Sequence, residues 1–262
     1  MSYMKAGLVY ADIISTVSET YADEIQTEEY GYGFDGIIRA GKDRLRGIIN
    51  GIDYEANNPE TDKRIDVNYS ADNAEAKKEN KRLLQERLGL EQRGVPMICM
   101  ISRLADQKGL DILANAMERL MQNDIQFVIL GTGEKRYEDM FRYYENRWKG
   151  RFCSCIMFDD TLAQKIYASG DMFLMPSRFE PCGLGQMFSL RYGTVPVVRK
   201  TGGLADSVEQ FNGETGTGNG FLFETYDAEG ILWAVGEALK IYTDTDKWNT
   251  LVKNCMNTKL SW

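Results

Sequence analysis

The stretch Val95-Pro-Met-Ile-Cys-Met-Ile-Ser-Arg-Leu-Ala-Asp-Gln-Lys-Gly-Leu-Asp-Ile-Leu-Ala-Asn-Ala-Met-Glu-Arg-Leu-Met121 carries the pattern that the rest of the chain repeats. Val95 to Ser102 is a continuous apolar run of buried-strand length, not an alternating one. From Leu110 the period changes, and Leu110, Leu113, Ala114, Met117, Leu120 and Met121 fall on one helical stripe. A polar loop, Ser102 to Gly109, joins the two.

Outward from there the alternation continues. Ile125–Leu130 reads as the next strand, followed by a helix over Glu134–Arg147. Phe152–Phe158 is a third strand and Leu162–Ala168 a helix. Met172–Pro176 is a fourth strand with a helix near Leu184–Tyr192, and Thr194–Val198 is a fifth, with a helix starting near Leu204. Continuously apolar strands taking turns with helices imply a parallel sheet covered on both faces. Right-handed crossovers make this an α/β, doubly wound, Rossmann-like sheet, in which ligands bind outside the carboxyl ends of the strands.

The earlier residues are looser. Ala11–Ser18 reads as a strand running into a helix cap at Ser18 or Thr20, with Tyr21–Ile25 helical; Tyr30–Gly36 is a loop. Leu45–Asp53 is a strand that breaks at Asn50-Gly51, Asn58–Asp72 a polar connector, and Ala74–Leu88 a charged surface helix. Asn212–Gly220 reads as a flexible loop. The chain starts in a plausible helix and ends on Trp262 with no polar tail, so it is expected to be a portion of a longer protein.

Composition narrows the chemistry. The chain has 262 residues, 43% hydrophobic and 27% charged, enough to bury a core without staples. No apolar run reaches the ~18 residues of a membrane span, and the first ten residues lack the pattern of a secretory signal. A net charge of −8 disfavours nucleic acid and anionic lipid. There is no histidine at all, which excludes a Ser-His-Asp triad, a Cys-His pair and an HExxH zinc site built from this chain alone. The cysteines at 99, 153, 155, 182 and 255 have no metal-ligand spacing and read as buried, reduced thiols of a cytosol-like compartment.

Four loops at strand carboxyl ends hold the remaining candidates. Ser102–Gly109 gathers Arg103 and Lys108 near a helix start, two cations suited to a diphosphate. Leu130-Gly-Thr-Gly-Glu134 begins like a dinucleotide fingerprint, but Arg136 stands where the third glycine belongs, and a tight turn is the better reading. Pro176-Ser-Arg-Phe-Glu-Pro-Cys-Gly-Leu-Gly-Gln186 places Glu180 at a strand end, before glycines whose amides can approach phosphate. Its plain alternative is a turn with a helix-capping glutamate. Cys182 has no histidine to activate it and reads as packing. Thr201-Gly202-Gly203 opens a helix and offers a hydroxyl and amides, or is a simple turn. Arg103, Lys108, Arg178, Arg199 and Lys200 all fall at the ligand edge of the expected sheet.

Ser102-Arg-Leu-Ala-Asp-Gln-Lys-Gly-Leu-Asp111, Ser177-Arg-Phe-Glu-Pro-Cys-Gly-Leu184 and Thr201-Gly-Gly-Leu-Ala-Asp206 closely resemble the bacterial glycogen synthase and plant starch synthase family. Lys5-Ala-Gly-Leu-Val-Tyr-Ala-Asp12, Thr16-Val-Ser-Glu-Thr-Tyr-Ala22 and Ile49-Asn-Gly-Ile-Asp53 agree, in order, over nearly the whole chain. The resemblance implies a retaining hexosyltransferase that moves glucose from ADP-glucose to the non-reducing end of an α-1,4-glucan. It implies the glycosyltransferase B fold, with residues 1–50 ending the N-terminal domain and crossing between domains. Residues 51–262 would form the C-terminal nucleotide-sugar-binding domain, short of its closing C-terminal helix.

On this match Arg103 and Lys108 grip the diphosphate and stabilise the leaving group, and Glu180 is the carboxylate at the glucose. Gly183, Leu184 and Gly185 with Thr201, Gly202 and Gly203 hold phosphate and sugar. Asn50 lies near the glucose, and Phe158 stacks on adenine. The implied partners are ADP-glucose or ADP, and a glucan reached through the N-terminal domain; nucleic acid and membrane are not expected. No cofactor and no metal are expected, and the place is the cytoplasm. Where the wider retaining-transferase pattern has a second glutamate, this chain has Phe188. Two other readings stay open: a non-catalytic nucleotide-binding regulatory module, and a dinucleotide oxidoreductase domain.

Overall fold

The computed structural model describes residues 2–262. It opens with α1 (Tyr3–Tyr10), β1 (Ile14–Thr16), α2 (Glu19–Glu24), α3 (Asp35–Ala40) and β2 (Leu45–Gly47). β1 and β2 pair in parallel over a small cluster of Ile14, Ala22, Ile38 and Leu45. Ser18 caps α2 by accepting from the Tyr21 amide at 3.0 Å, which ends the strand early. Both strands are shorter than expected, three residues each.

After an irregular connector come α4 (Lys77–Leu88), β3 (Met97–Ile101), α5 (Leu110–Leu120), β4 (Gln126–Leu130), α6 (Lys135–Arg147), β5 (Phe152–Cys155), α7 (Asp160–Ser169), β6 (Met172–Met175), α8 (Gly185–Arg191), β7 (Val195–Arg199), α9 (Gly202–Ser207), β8 (Phe221–Phe223), α10 (Ala228–Tyr242) and α11 (Thr245–Asn257). The six strands β3 to β8 lie in the order β5-β4-β3-β6-β7-β8, every pair parallel. Counted from β3 this is 3-2-1-4-5-6, the doubly wound order, with its reversal between β3 and β6. Met97, Ile98, Cys99, Phe127, Val128, Ile129, Phe173 and Leu174 have no solvent exposure, as continuous apolar strands between helical layers require.

Several expectations need correction. The third strand stops at Cys155, because Asp159 must leave the sheet to cap α7 through the Leu162 amide. The charged helix begins as a 3₁₀ turn at Ala74–Ala76 and is no surface helix on its inner face. Lys77, Asn80, Lys81, Leu84 and Gln85 are buried. Lys77 Nζ donates to Tyr167 O (3.3 Å), Ala168 O (3.1 Å), Tyr192 O (2.9 Å) and Thr194 Oγ1 (3.0 Å), and Lys81 pairs with Asp171 at 2.6 Å. The stretch 212–220 is not a free loop: Asn212 and Thr217 bridge, Gln210 pairs with Gly220, and Asn219 is buried. β8, α10 and α11 were not anticipated. After α11 the chain returns across residues 52–54, where Ile52 N donates to Leu260 O at 2.8 Å.

Candidate functional site

The β3–α5 and β6–α8 loops leave adjacent strands at the point where the strand order reverses, so sheet topology alone brings them together. They are also stitched to each other. The Arg178 amide donates to Gln107 O at 2.9 Å, and Gln107 Nε2 donates to Phe179 O at 3.3 Å. Gly109 has φ +70°, and a Cβ there would sit 1.9 Å from Pro176 O, so only glycine permits this approach. The result is an ion pair: Lys108 Nζ lies 2.5 Å from Glu180 Oε2, with Ser177 Oγ donating to the same oxygen at 3.1 Å. Glu180 is buried and Lys108 nearly so.

Two adjoining cavities open here. One, of about 180 Å³, is walled by Arg103, Lys108, Glu180, Gly183, Leu184 and Gly185. The other, of about 250 Å³, runs under Leu130, Gly131 and Thr132 to Met157 and Phe158. Ile101, Ser102 and Arg103 border both. The Ser102 hydroxyl is buried with no hydrogen-bond partner at this shared wall. Sequence reading passed over it, since a serine after a strand carries no signal of its own. A larger cavity of about 550 Å³ lies by Lys77 and Trp248, away from these loops; Lys78, Lys81, Arg82 and Arg93 on its wall are in ion pairs, and Lys77 is held by neutral oxygens.

The other sequence candidates divide. Phe158 is 94% exposed in the β5–α7 loop, at the mouth of the second cavity, so it is no core residue. Asn50 lies against Cys182, whose thiol is pushed up by burial, with Asn50's hydrogen bonding opposing; this fits packing, not nucleophilic attack. Thr201, Gly202 and Gly203 do not face the cavities with free donors. Thr201 Oγ1 and the Gly202 amide donate to Glu24 Oε1 at 2.7 and 3.0 Å, and the Gly203 amide donates to Glu180 O at 3.0 Å. Of the cationic edge, only Arg103 and Lys108 border the cavities. Arg178 and Arg199 stack over Tyr226, and Lys200 pairs with Glu224. The Gly131–Gly133 segment is a turn locked onto the β3–α5 loop, Leu104 N donating to Thr132 O at 2.9 Å. Among the described residues, no group of three or more acidic or cysteine side chains is placed to hold a metal ion.

Residues 85–254 match the family model described as "Glycosyl transferases group 1", and residues 1–40 match "Starch synthase catalytic domain". The chain belongs to the group 1 glycosyl transferases. Within that family it is similar to a glycogen synthase of Fervidobacterium nodosum, 55% identical over 262 residues, and to one of Kosmotoga olearia, 57% identical over 261. Each alignment covers 100% of this chain and 54% or 55% of the relative, so the chain spans about half the length of these curated relatives. Among solved structures, the catalytic domain of starch synthase IV from Arabidopsis thaliana, bound to ADP and acarbose, superposes with a TM-score of 0.93 at 36% identity. It covers 99% of this chain and 54% of that one. The doubly wound sheet is thus the group 1 glycosyl transferase fold of this neighbour, and the resemblance to glycogen and starch synthases holds over the full chain.

Proposed function

We propose that this chain is the donor-binding half of a glycogen or starch synthase, which transfers glucose from ADP-glucose to the non-reducing end of an α-1,4-glucan with retention. The observation that carries this reading is the pair of cavities joined at Ser102–Arg103. One ends at the exposed ring of Phe158; the other holds Arg103 and ends at a carboxylate, Glu180, paired with Lys108. A nucleoside diphosphate sugar has the same order of parts: base, diphosphate, hexose.

In this reading Phe158 stacks on adenine and Ser102 donates across the shared wall. Arg103 and Lys108 neutralise the diphosphate as the glucosyl bond breaks, a charge stabilisation that needs no proton transfer at neutral pH. Glu180 faces the glucose, and Gly183–Gly185 border its pocket, with Asn50 at the same end. ADP-glucose is a substrate, and the chemistry of the site calls for no cofactor or metal. Residues 1–50 have their own small cluster and expose Tyr3, Met4 and Tyr10, which supports their reading as the end of an N-terminal domain that brings the glucan, with 51–262 as the donor domain. A cytoplasmic place goes with that role; no helix among the described residues is long and apolar enough to cross a membrane. The regulatory-module reading is not favoured, because a bare nucleotide site has no use for a buried carboxylate beside the phosphate cations.

The test is glucose transfer from ADP-glucose to a glycogen primer by the full-length protein. Wild type should elongate the primer. Glu180→Gln should cut turnover by ~100-fold or more, the scale of a lost electrostatic stabiliser. Turnover of Glu180→Gln near the wild-type rate removes Glu180 from the reaction.

A further inference from the structure

We infer that Glu24, on the N-terminal segment, is a positioning residue for Glu180; the inference rests on the transferase reading above and extends it. The geometry is a two-step relay. Glu24 Oε1 accepts from Thr201 Oγ1 at 2.7 Å and from the Gly202 amide at 3.0 Å. The turn so held grips the main chain of Glu180. The Gly203 amide donates to Glu180 O at 3.0 Å, and Gly202, at φ +44°, lies so close that a Cβ would be 2.0 Å from that same oxygen. No side chain fits between the turn and the Glu180 backbone, so a shift in one displaces the other.

A second contact fixes the direction from which Glu24 acts. The Thr20 amide donates to Asp206 Oδ2 at 3.1 Å, and its hydroxyl to Oδ1 at 2.5 Å. Helices α2 and α9 therefore lie antiparallel, each supplying a carboxylate to the first turn of the other. In each short helix one first-turn amide, that of Thr20 or of Gly202, is satisfied by a carboxylate some 180 residues away in sequence. Glu24 Oε2, meanwhile, is buried with no hydrogen-bond partner. A partly buried carboxylate with one oxygen left unsatisfied is a costly way to stabilise a fold, which points to a role beyond stability. The interlock ties the segment read as interdomain to the backbone of the carboxylate at the glucose, so that movement of α2 reaches Glu180 through one turn.

The test uses the full-length protein with Glu24→Ala and Glu24→Gln, the second keeping an oxygen that accepts from Thr201 and Gly202. Glu24→Ala should lower kcat for glucose transfer by ~10- to 100-fold, the scale of a reacting group displaced by a fraction of an ångström to one ångström. Its affinity for ADP, which does not touch Glu180 in this account, should stay within about threefold, and its Tm should change little. Glu24→Gln should restore most of the turnover. Independently of activity, amide hydrogen exchange at Gly202 and Gly203 should speed up by about tenfold or more in Glu24→Ala and recover in Glu24→Gln.

Unchanged exchange at these amides overturns the relay even if the wild-type protein proves inactive, an inactivity that counts against the transferase reading alone. Given an active wild type, unchanged kcat in Glu24→Ala overturns the inference. So does a parallel fall of kcat, ADP affinity and Tm, which marks general damage. ADP binding tightened well beyond threefold in Glu24→Ala also overturns it, since Glu24 would then be an internal competitor for the anion.

Discussion

Lys108 and Glu180 stand 2.5 Å apart, so removing either leaves the other without its charged partner. In the proposed site Lys108 must serve a diphosphate while already paired, and removal of either partner is informative. Lys108→Ala should weaken ADP binding by roughly 1.5–3 kcal/mol, the scale of a charged hydrogen bond, or about 10- to 150-fold. Glu180→Gln frees the lysine and should leave ADP affinity within about threefold, shifted toward tighter binding. Phe158, fully exposed at the cavity mouth, offers a cleaner case: Phe158→Ala should cost ~1–3 kcal/mol in ADP binding and leave pyrophosphate binding unchanged. Equal losses for both ligands would show that the ring contributes no stacking.

Lys77 gives a pH prediction unrelated to the site. Burial lowers its pKa from 10.5 to about 7 in the folded chain. Between those values the unfolded chain binds the extra proton, so stability must rise with pH there. The difference in unfolding free energy between wild type and Lys77→Met should therefore move in favour of wild type by about 2 kcal/mol from pH 7 to pH 9. A flat difference, measured by urea unfolding, would mean that the four oxygens around Nζ keep the ammonium charged.

At the scale of elements, β3 through β7 were legible because each is a continuous apolar run between helical stripes, and the switch point followed from their order. The loops carrying Arg103, Lys108 and Glu180 were legible for the same reason. β8 was not, since Phe221-Leu-Phe223 is too short a run to distinguish from a loop. The inner face of α4 was misread because charge on a helix normally marks solvent, and nothing local reveals carbonyls waiting for Lys77. Glu24 was invisible for a stronger reason: its partners lie some 180 residues away, and only the packing of α2 on α9 brings them together. The loop geometry itself is testable. Gly109→Ala must push back Pro176 O from 1.9 Å and adopt φ +70°, so it should destabilise the chain by at least the ~1–2 kcal/mol of a left-handed non-glycine residue. It should also weaken ADP binding, because Lys108 moves with the loop. Retention of full stability and full ADP affinity would contradict the stitched-loop account.

At the scale of the whole molecule, an acidic chain of net charge −8 is proposed to bind an anion. It can do so because two cations border the cavities at the switch point while the neighbouring Arg178, Arg199 and Lys200 are held by Tyr226, the loop backbone and Glu224. Local donors, not global steering, decide the affinity. That claim is tested most directly by calorimetric titration of the 262-residue chain with ADP and, separately, with NAD, repeated on Arg103→Ala and Lys108→Ala. The account predicts one ADP site per chain, weaker binding of NAD, and loss of at least about tenfold in ADP affinity in the lysine variant. ADP binding that is unchanged in both variants, or NAD bound more tightly than ADP, would contradict it.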